Sequence, residues 1–165
     1  MGVRASMLLR RLAAAFLGAI WPMAVLAAAE TPPIEIAVRQ LLAEEPGLAI
    51  EKPAGKPPVG RVLKDGKPVA SYGSSYALMG STGYSGKPID VLVIVNDDAT
   101  LRAARLLTQD EPILTIGIAP EDLSEFVAGF AGVDVRAPLR HLVQDGAVPD
   151  AVSGATVSSG VIRDA

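Results

Sequence analysis

Apolar residues fall into blocks of helical or strand spacing, separated by clusters of Pro, Gly, Asn and Asp. After Thr31-Pro32-Pro33, the positions Ile34, Val38, Leu41 and Leu42 share one helical face. This predicts a capped amphipathic helix stopping near Pro46, because proline disfavours helix in the residue before it, and its role is packing. Residues 51–60 (Glu-Lys-Pro-Ala-Gly-Lys-Pro-Pro-Val-Gly) hold too few apolar groups to pack and predict a loop. Val62-Leu63, the Asp65-Gly66 turn and Val69 to Tyr72 predict a β-hairpin. The β-branched run Ile89 to Val95 predicts a central strand, and Asn96-Asp97-Asp98 turns it into Leu101 to Leu107, a segment open between strand and helix. Pro120-Glu121-Asp122 opens a helix with Leu123, Phe126, Val127 and Phe130 on one face, and Gly132 is its expected end. Together these elements predict an α+β domain: a mostly antiparallel sheet flanked by helices.

The first 29 residues follow a different logic. They carry Arg4, Arg10 and Arg11 without an acid, then an apolar run from Leu12 to Ala29 that ends in Ala27-Ala28-Ala29 before Glu30. A basic start, an apolar stretch and an A-x-A site predict a secretory signal and hence an exported, periplasmic domain. The alternative is an uncleaved anchor, since the run reaches the lower edge of a membrane-spanning length, but Pro22 and the alanine-rich end favour cleavage. Residues flanking Arg10-Arg11 match a twin-arginine signal poorly. The expected organisation is therefore a signal over 1–29, a helix and Pro/Gly-rich loop over 30–58, and one domain over 59–165.

Composition then narrows the chemistry. Residues 30–165 carry 12 basic and 18 acidic side chains, a net charge of −6, which offers no platform for nucleic acid. They contain no Trp, and their aromatics are Tyr72, Tyr76, Tyr84, Phe126 and Phe130, so the core must be aliphatic. With no Cys in the chain and His141 its one histidine, disulfides and iron–sulfur clusters are excluded and no metal site is expected. Serine hydrolysis lacks a G-x-S-x-G elbow, so no catalytic residue is assigned.

Two segments remain as carriers of chemistry. Gly80 to Ile89 is a glycine- and hydroxyl-rich loop leading into the central strand; it either turns the chain or presents N–H groups, hydroxyls and Lys87 to an anion. Asp150 to Gly160 (Asp-Ala-Val-Ser-Gly-Ala-Thr-Val-Ser-Ser-Gly) places Ser153 and Thr156 at an expected helix start, with small residues around Gly154. It is either a capping turn or a phosphate site.

Asp150-Ala151-Val152-Ser153-Gly154-Ala155-Thr156 resembles the flavinylation motif of the FMN-binding domain family, found in RnfG- and NqrC-type redox subunits and in NosR-type proteins of nitrous oxide respiration. The resemblance implies FMN joined through a phosphoester to Thr156, with Asp150, Ser153, Gly154 and Ala155 as motif positions. It also implies a separate flavin transferase, using FAD and magnesium, as maturation partner. Ser158 and Ser159 are the rival attachment points if the match is displaced. Gly83-Tyr84-Ser85-Gly86-Lys87-Pro88-Ile89, then Glu111-Pro112-Ile113 and Gly117-Ile118, are most similar to the NosR type in the same order, so the resemblance covers roughly residues 60–165. It places Tyr84 or Ser85 near the flavin and Glu111 as a polar neighbour, with Gly83, Gly86 and Lys87 in the same cofactor loop. Gln109-Asp110 stands where the NosR type often has histidines.

NosR-type proteins continue into transmembrane helices and cysteine clusters, so the chain is expected to be a fragment of such a protein. What the resemblance implies is a covalent FMN carrier on the periplasmic side of the inner membrane. Its partners would be membrane-bound iron–sulfur redox centres and the nitrous oxide reductase system. The competing class is a flavin-sensing or non-redox regulatory module.

Overall fold

The computed structural model describes residues 33–111 and 118–164. The signal-like segment, the Thr31-Pro32 pair and positions Pro112, Ile113 and Gly117 lie outside the described residues.

Helix α1 (Ile34–Leu41) precedes three strands, β1 (Leu48–Ala54), β2 (Val59–Lys64) and β3 (Lys67–Ser74). A short helix α2 (Ser75–Met79) leads to β4 (Asp90–Asn96) and β5 (Leu101–Thr108), and α3 (Pro120–Ala128), α4 (Leu139–Gln144) and α5 (Thr156–Asp164) follow. The strands form one antiparallel sheet in the order β1-β2-β3-β4-β5. The fold is α+β, as the pattern predicted. The β2–β3 turn works because Asp65 (φ 52°) and Gly66 (φ 75°) both accept the left-handed conformation that a tight hairpin requires. The ambiguous segment from Leu101 is a strand: β4 offers it a full edge, and its pairing runs from Val95↔Leu101 to Asp90↔Thr108.

Residues 51–60 depart from expectation. Most of this stretch is not loop but the end of β1 and the start of β2, joined by a turn. β1 is an edge strand, so backbone pairing with β2 holds it without a continuous apolar face. Pro53 is tolerated there because the register shifts between Glu51 and Ala54 and an edge leaves room for a missing N–H. Helix α3 ends at Ala128, and Gly132 (φ +86°) serves the following turn instead. The α1 N-cap is Pro33, which makes no side-chain capping bond. Helix α2 was not foreseen; Ser74 Oγ accepts from Ala77 N–H at 3.2 Å to start it, and Gly80 (φ 71°) ends it.

The sheet separates two apolar clusters because side chains alternate along β4. Leu92 and Ile94 point with Val62, Ala70 and Tyr72 toward Ala37, Val38 and Leu42 on and beside α1. Val91, Leu101 and Ala104 face Leu123, Phe126 and Val127 of α3 and Ala155 and Ile162 at α5. Fully burying such a side chain contributes about 1.5–3 kcal/mol, so each cluster is a substantial part of the fold's stability.

Candidate functional site

The loop before β4 closes on itself. Gly83 N–H donates to Lys87 O at 2.9 Å, Gly86 N–H to Gly83 O at 3.0 Å, and Ile89 N–H to Ser81 O at 3.1 Å. Gly86 has φ +74°, which its place in this turn requires.

Glu111 gathers the site. Its side chain is only 2% exposed, and its oxygens meet donors from both sequence-predicted segments. Oε1 accepts from Ser85 N–H at 3.2 Å and from Ser85 Oγ–H at 2.7 Å. Oε2 accepts from Tyr84 N–H at 3.1 Å and from Ser158 Oγ–H of α5 at 3.4 Å. A buried carboxylate is tolerable only when its oxygens are satisfied in this way. Gly83 lies against it so closely that a Cβ there would collide with the Glu111 carboxylate, which explains why this position carries no side chain.

The second segment forms the approach to α5 and its first turn. Gly154 takes φ +83° and leaves ordinary contact distance to Ile118, so the backbone turns there without strain. Ala155 is fully buried and anchors the turn, whereas Ser153 and Gly154 are exposed. Thr156, the first residue of α5, is exposed. Its rivals are not: Ser158 and Ser159 are each 0% exposed, Ser158 donates to Glu111, and Ser159 Oγ accepts from Val152 N–H at 3.0 Å. Asp150 faces Arg163, whose Nη1 donates to Asp150 O at 3.2 Å and Oδ1 at 3.4 Å.

The structure thus brings Gly83, Tyr84, Ser85 and Glu111 to α5, the helix that Thr156 begins. Lys87 is not a spare cation: its Nζ pairs with Asp110, and its N–H donates to Ser85 Oγ at 3.3 Å. Asp150 is tied to the last turn of α5 rather than to the Thr156 hydroxyl. Arg163 carries no role in the sequence pattern, Asp110 stands there only as part of the Gln109-Asp110 departure from the NosR type, and Ser158, a rival attachment point by sequence, is a buried donor to Glu111. Spacing alone could have offered Arg163, since i and i+7 positions lie on one helical face and Thr156 is seven residues before it.

A separate apolar cavity of about 560 Å³ lies between the β4–β5 face and the helices. Val91, Val93, Val95, Phe130, Val133 and Leu142 line it, and none of the sequence-predicted site residues does.

The residues present fit an FMN. A phosphate suits a helix start, where first-turn N–H groups lack intrahelical partners and the helix dipole is positive. Here that start offers an exposed hydroxyl on Thr156, beside a glycine turn.

Residues 83–165 match the FMN-binding domain family. The chain belongs to that family. It is 45% identical over 103 residues to Protein NirI of Paracoccus denitrificans, covering 62% of this chain and 15% of that protein. It is 45% identical over 86 residues to Regulatory protein NosR of Pseudomonas aeruginosa, covering 49% of this chain and 12% of the relative. Regulatory protein NosR of Stutzerimonas stutzeri is 32% identical over 123 residues, covering 72% and 17%. The chain therefore spans less than a fifth of the length of these relatives. As a member of the FMN-binding domain family, it takes FMN as its cofactor, as the motif predicted.

Proposed function

We propose that this chain is the covalent FMN-carrying, electron-transferring part of a NosR-like membrane protein that supports nitrous oxide reductase activity or expression. The observation that carries the reading is a contrast in accessibility. Thr156 is exposed on the first turn of α5, whereas Ser158 and Ser159 are fully buried and hydrogen-bonded. A flavin transferase, which must reach its target oxygen from outside, can meet Thr156 and neither serine.

The coupling requires no redox change. The bond between Thr156 Oγ and phosphorus forms as the phosphoanhydride P–O bond of FAD breaks; AMP leaves and the hydroxyl proton passes to solvent. FMN supplies one- and two-electron steps that no side chain of this cysteine-free chain can supply. The protein's part is to tether, orient and tune.

The basic, apolar and A-x-A features of residues 1–29 support export, with the domain acting on the periplasmic side of the inner membrane. Among the described residues no helix is long and apolar enough to cross a membrane. The redox partners are iron–sulfur centres of the membrane assembly and the nitrous oxide reductase system.

A second reading, a flavin sensor, is favoured by the word regulatory in the names of the NosR relatives. Rapid reduction by quinol or a protein donor and rapid reoxidation separate the carrier from the sensor.

The direct test is in-gel flavin fluorescence after denaturation, on protein coexpressed in a periplasm with a flavin transferase. The wild type and Ser158→Ala are expected to fluoresce and Thr156→Ala to be dark. A dark wild-type band from folded protein would overturn the covalent reading.

A further inference from the structure

Glu111 is an expensive way to fill a core position. Burying a carboxylate costs several kcal/mol unless good hydrogen bonds repay it, and well-packed apolar residues commonly do as well or better for stability alone. Of its four acceptor bonds, three hold Tyr84 and Ser85 of the 83–87 loop and one, from Ser158 at 3.4 Å, reaches α5, so the carboxylate links the loop to the helix. A single oxygen, Oε2, takes both the Tyr84 N–H and the Ser158 hydroxyl, so the loop backbone and the α5 side chain meet at one atom. The Gly83 backbone lies directly on the same carboxylate.

What this fixture holds in place is exposed. The Tyr84 side chain is 71% exposed, and Val157, between Thr156 and Ser158, is 53% exposed. An exposed aromatic ring on a loop of small polar residues offers a flat face on which another aromatic system can stack. Tyr84 donates its own N–H to the Glu111 carboxylate, and Val157 is the chain neighbour of Ser158, which donates its hydroxyl to it, so the carboxylate fixes the backbone that carries the Tyr84 ring.

We infer that Glu111 is a positioning residue: it ties the 83–87 loop to α5 so that the Tyr84 ring stacks on the isoalloxazine of an FMN carried by Thr156. The inference rests on the reading that Thr156 carries FMN. Tyr84 makes the contact; Glu111, Ser85 and Ser158 act through it. The Tyr84 phenol supplies a face, not a proton.

Tyrosine stacked on a flavin quenches its fluorescence, which gives a readout independent of electron-transfer activity. Beyond residue 29 the chain has no Trp and Tyr72 is buried, which leaves Tyr84, 71% exposed, and Tyr76, 46% exposed, as the tyrosines able to quench; a Tyr76→Leu control, expected to keep the short-lived component, tells them apart. The experiment uses the full chain loaded by a flavin transferase and measures the native-state fluorescence lifetime per covalently bound flavin. Tyr84→Leu, Glu111→Gln and Ser158→Ala are compared with wild type. Tyr84→Leu is expected to keep its covalent flavin and to lose the short-lived component. Glu111→Gln and Ser158→Ala are expected to lower the ratio of stacked to unstacked ring about twofold to tenfold, the range an aromatic stacking contact corresponds to. A purely structural role would lower the melting temperature or the loading and leave the lifetime of the loaded fraction unchanged.

A wild-type lifetime in Tyr84→Leu overturns the contact. A wild-type lifetime in Ser158→Ala and in folded Glu111→Gln overturns the positioning role; if Glu111→Gln does not fold, Ser158→Ala decides. Each of these outcomes leaves Thr156 attachment standing. A wild-type chain without denaturation-resistant flavin overturns the attachment itself and, with it, this inference.

Discussion

The two faces of the sheet solve the same packing problem with different side chains. On the α1 face, Gly60 stands opposite Tyr72 in the β2–β3 register, and a Cβ at Gly60 would collide with the Tyr72 ring. On the other side of the molecule, Gly83 makes room for the Glu111 carboxylate in the same manner. Each glycine admits one large buried group, but the groups differ in what they bind. Tyr72 donates its hydroxyl to Glu51 O at 2.7 Å and so ties β3 to the edge strand β1, a purely architectural bond. Glu111 instead accepts from a loop and a helix that secondary structure does not otherwise join. Apolar clusters fill both faces; the α5 side adds a buried carboxylate that links a loop to a helix.

The largest effect is expected on the α1 face. Leu92→Ala removes a fully buried side chain and should destabilise by about 2–5 kcal/mol in denaturant unfolding. The comparison breaks if this variant is as stable as wild type.

Tyr72 gives that face a pH signature. Burial, reinforced by the charge of Glu35 and partly offset by Arg39, pushes its phenol from 10.0 up to about 12. The folded state thus holds the proton more tightly than the unfolded chain. The stabilisation is complete below pH 10 and is lost as pH rises from 10 to 12, amounting to about 2–3 kcal/mol. Chemical denaturation across that range should show the fall in wild type and not in Tyr72→Phe.

Gly60→Ala and Gly83→Ala sharpen the contrast. Overpacking at either should cost about 1–3 kcal/mol. Thermal melts should register both, but only Gly83→Ala should change the visible circular dichroism of bound flavin. An equal spectral change in Gly60→Ala would erase the distinction between the faces.

The smallest effect concerns Lys87 and Asp110, an ion pair with both partners more than half exposed. Asp110→Ala should change stability by no more than about 1 kcal/mol and leave flavin loading intact. A large loss of loading would make the Lys87–Asp110 pair part of the cofactor site.

What the sequence revealed follows the physics of each element. The β2–β3 hairpin and β4 were legible because turn residues and alternation are local signals. β1 was not, since an edge strand bearing Glu51, Lys52 and Pro53 depends on its partner rather than on its own pattern. Leu101–Thr108 became a strand only through pairing with β4. At the site, the two motifs were visible as separate strings, and Glu111 entered only through a family resemblance. That Glu111 is buried between them, and that Ser158 faces it while Thr156 faces solvent, depends on the placement of α5 against the loop. No one-dimensional pattern contains that relation.

The central claim is that the exposed Thr156, and no buried neighbour, carries the flavin. Intact-mass measurement with peptide mapping, on wild type and on Thr156→Ala, Ser158→Ala and Ser159→Ala coexpressed with a flavin transferase, tests it most directly. The account predicts a mass increase of one FMN less one water in wild type and both serine variants, mapped to Thr156, and none in Thr156→Ala. An adduct that persists in Thr156→Ala, or that maps to Ser158 or Ser159, would contradict it.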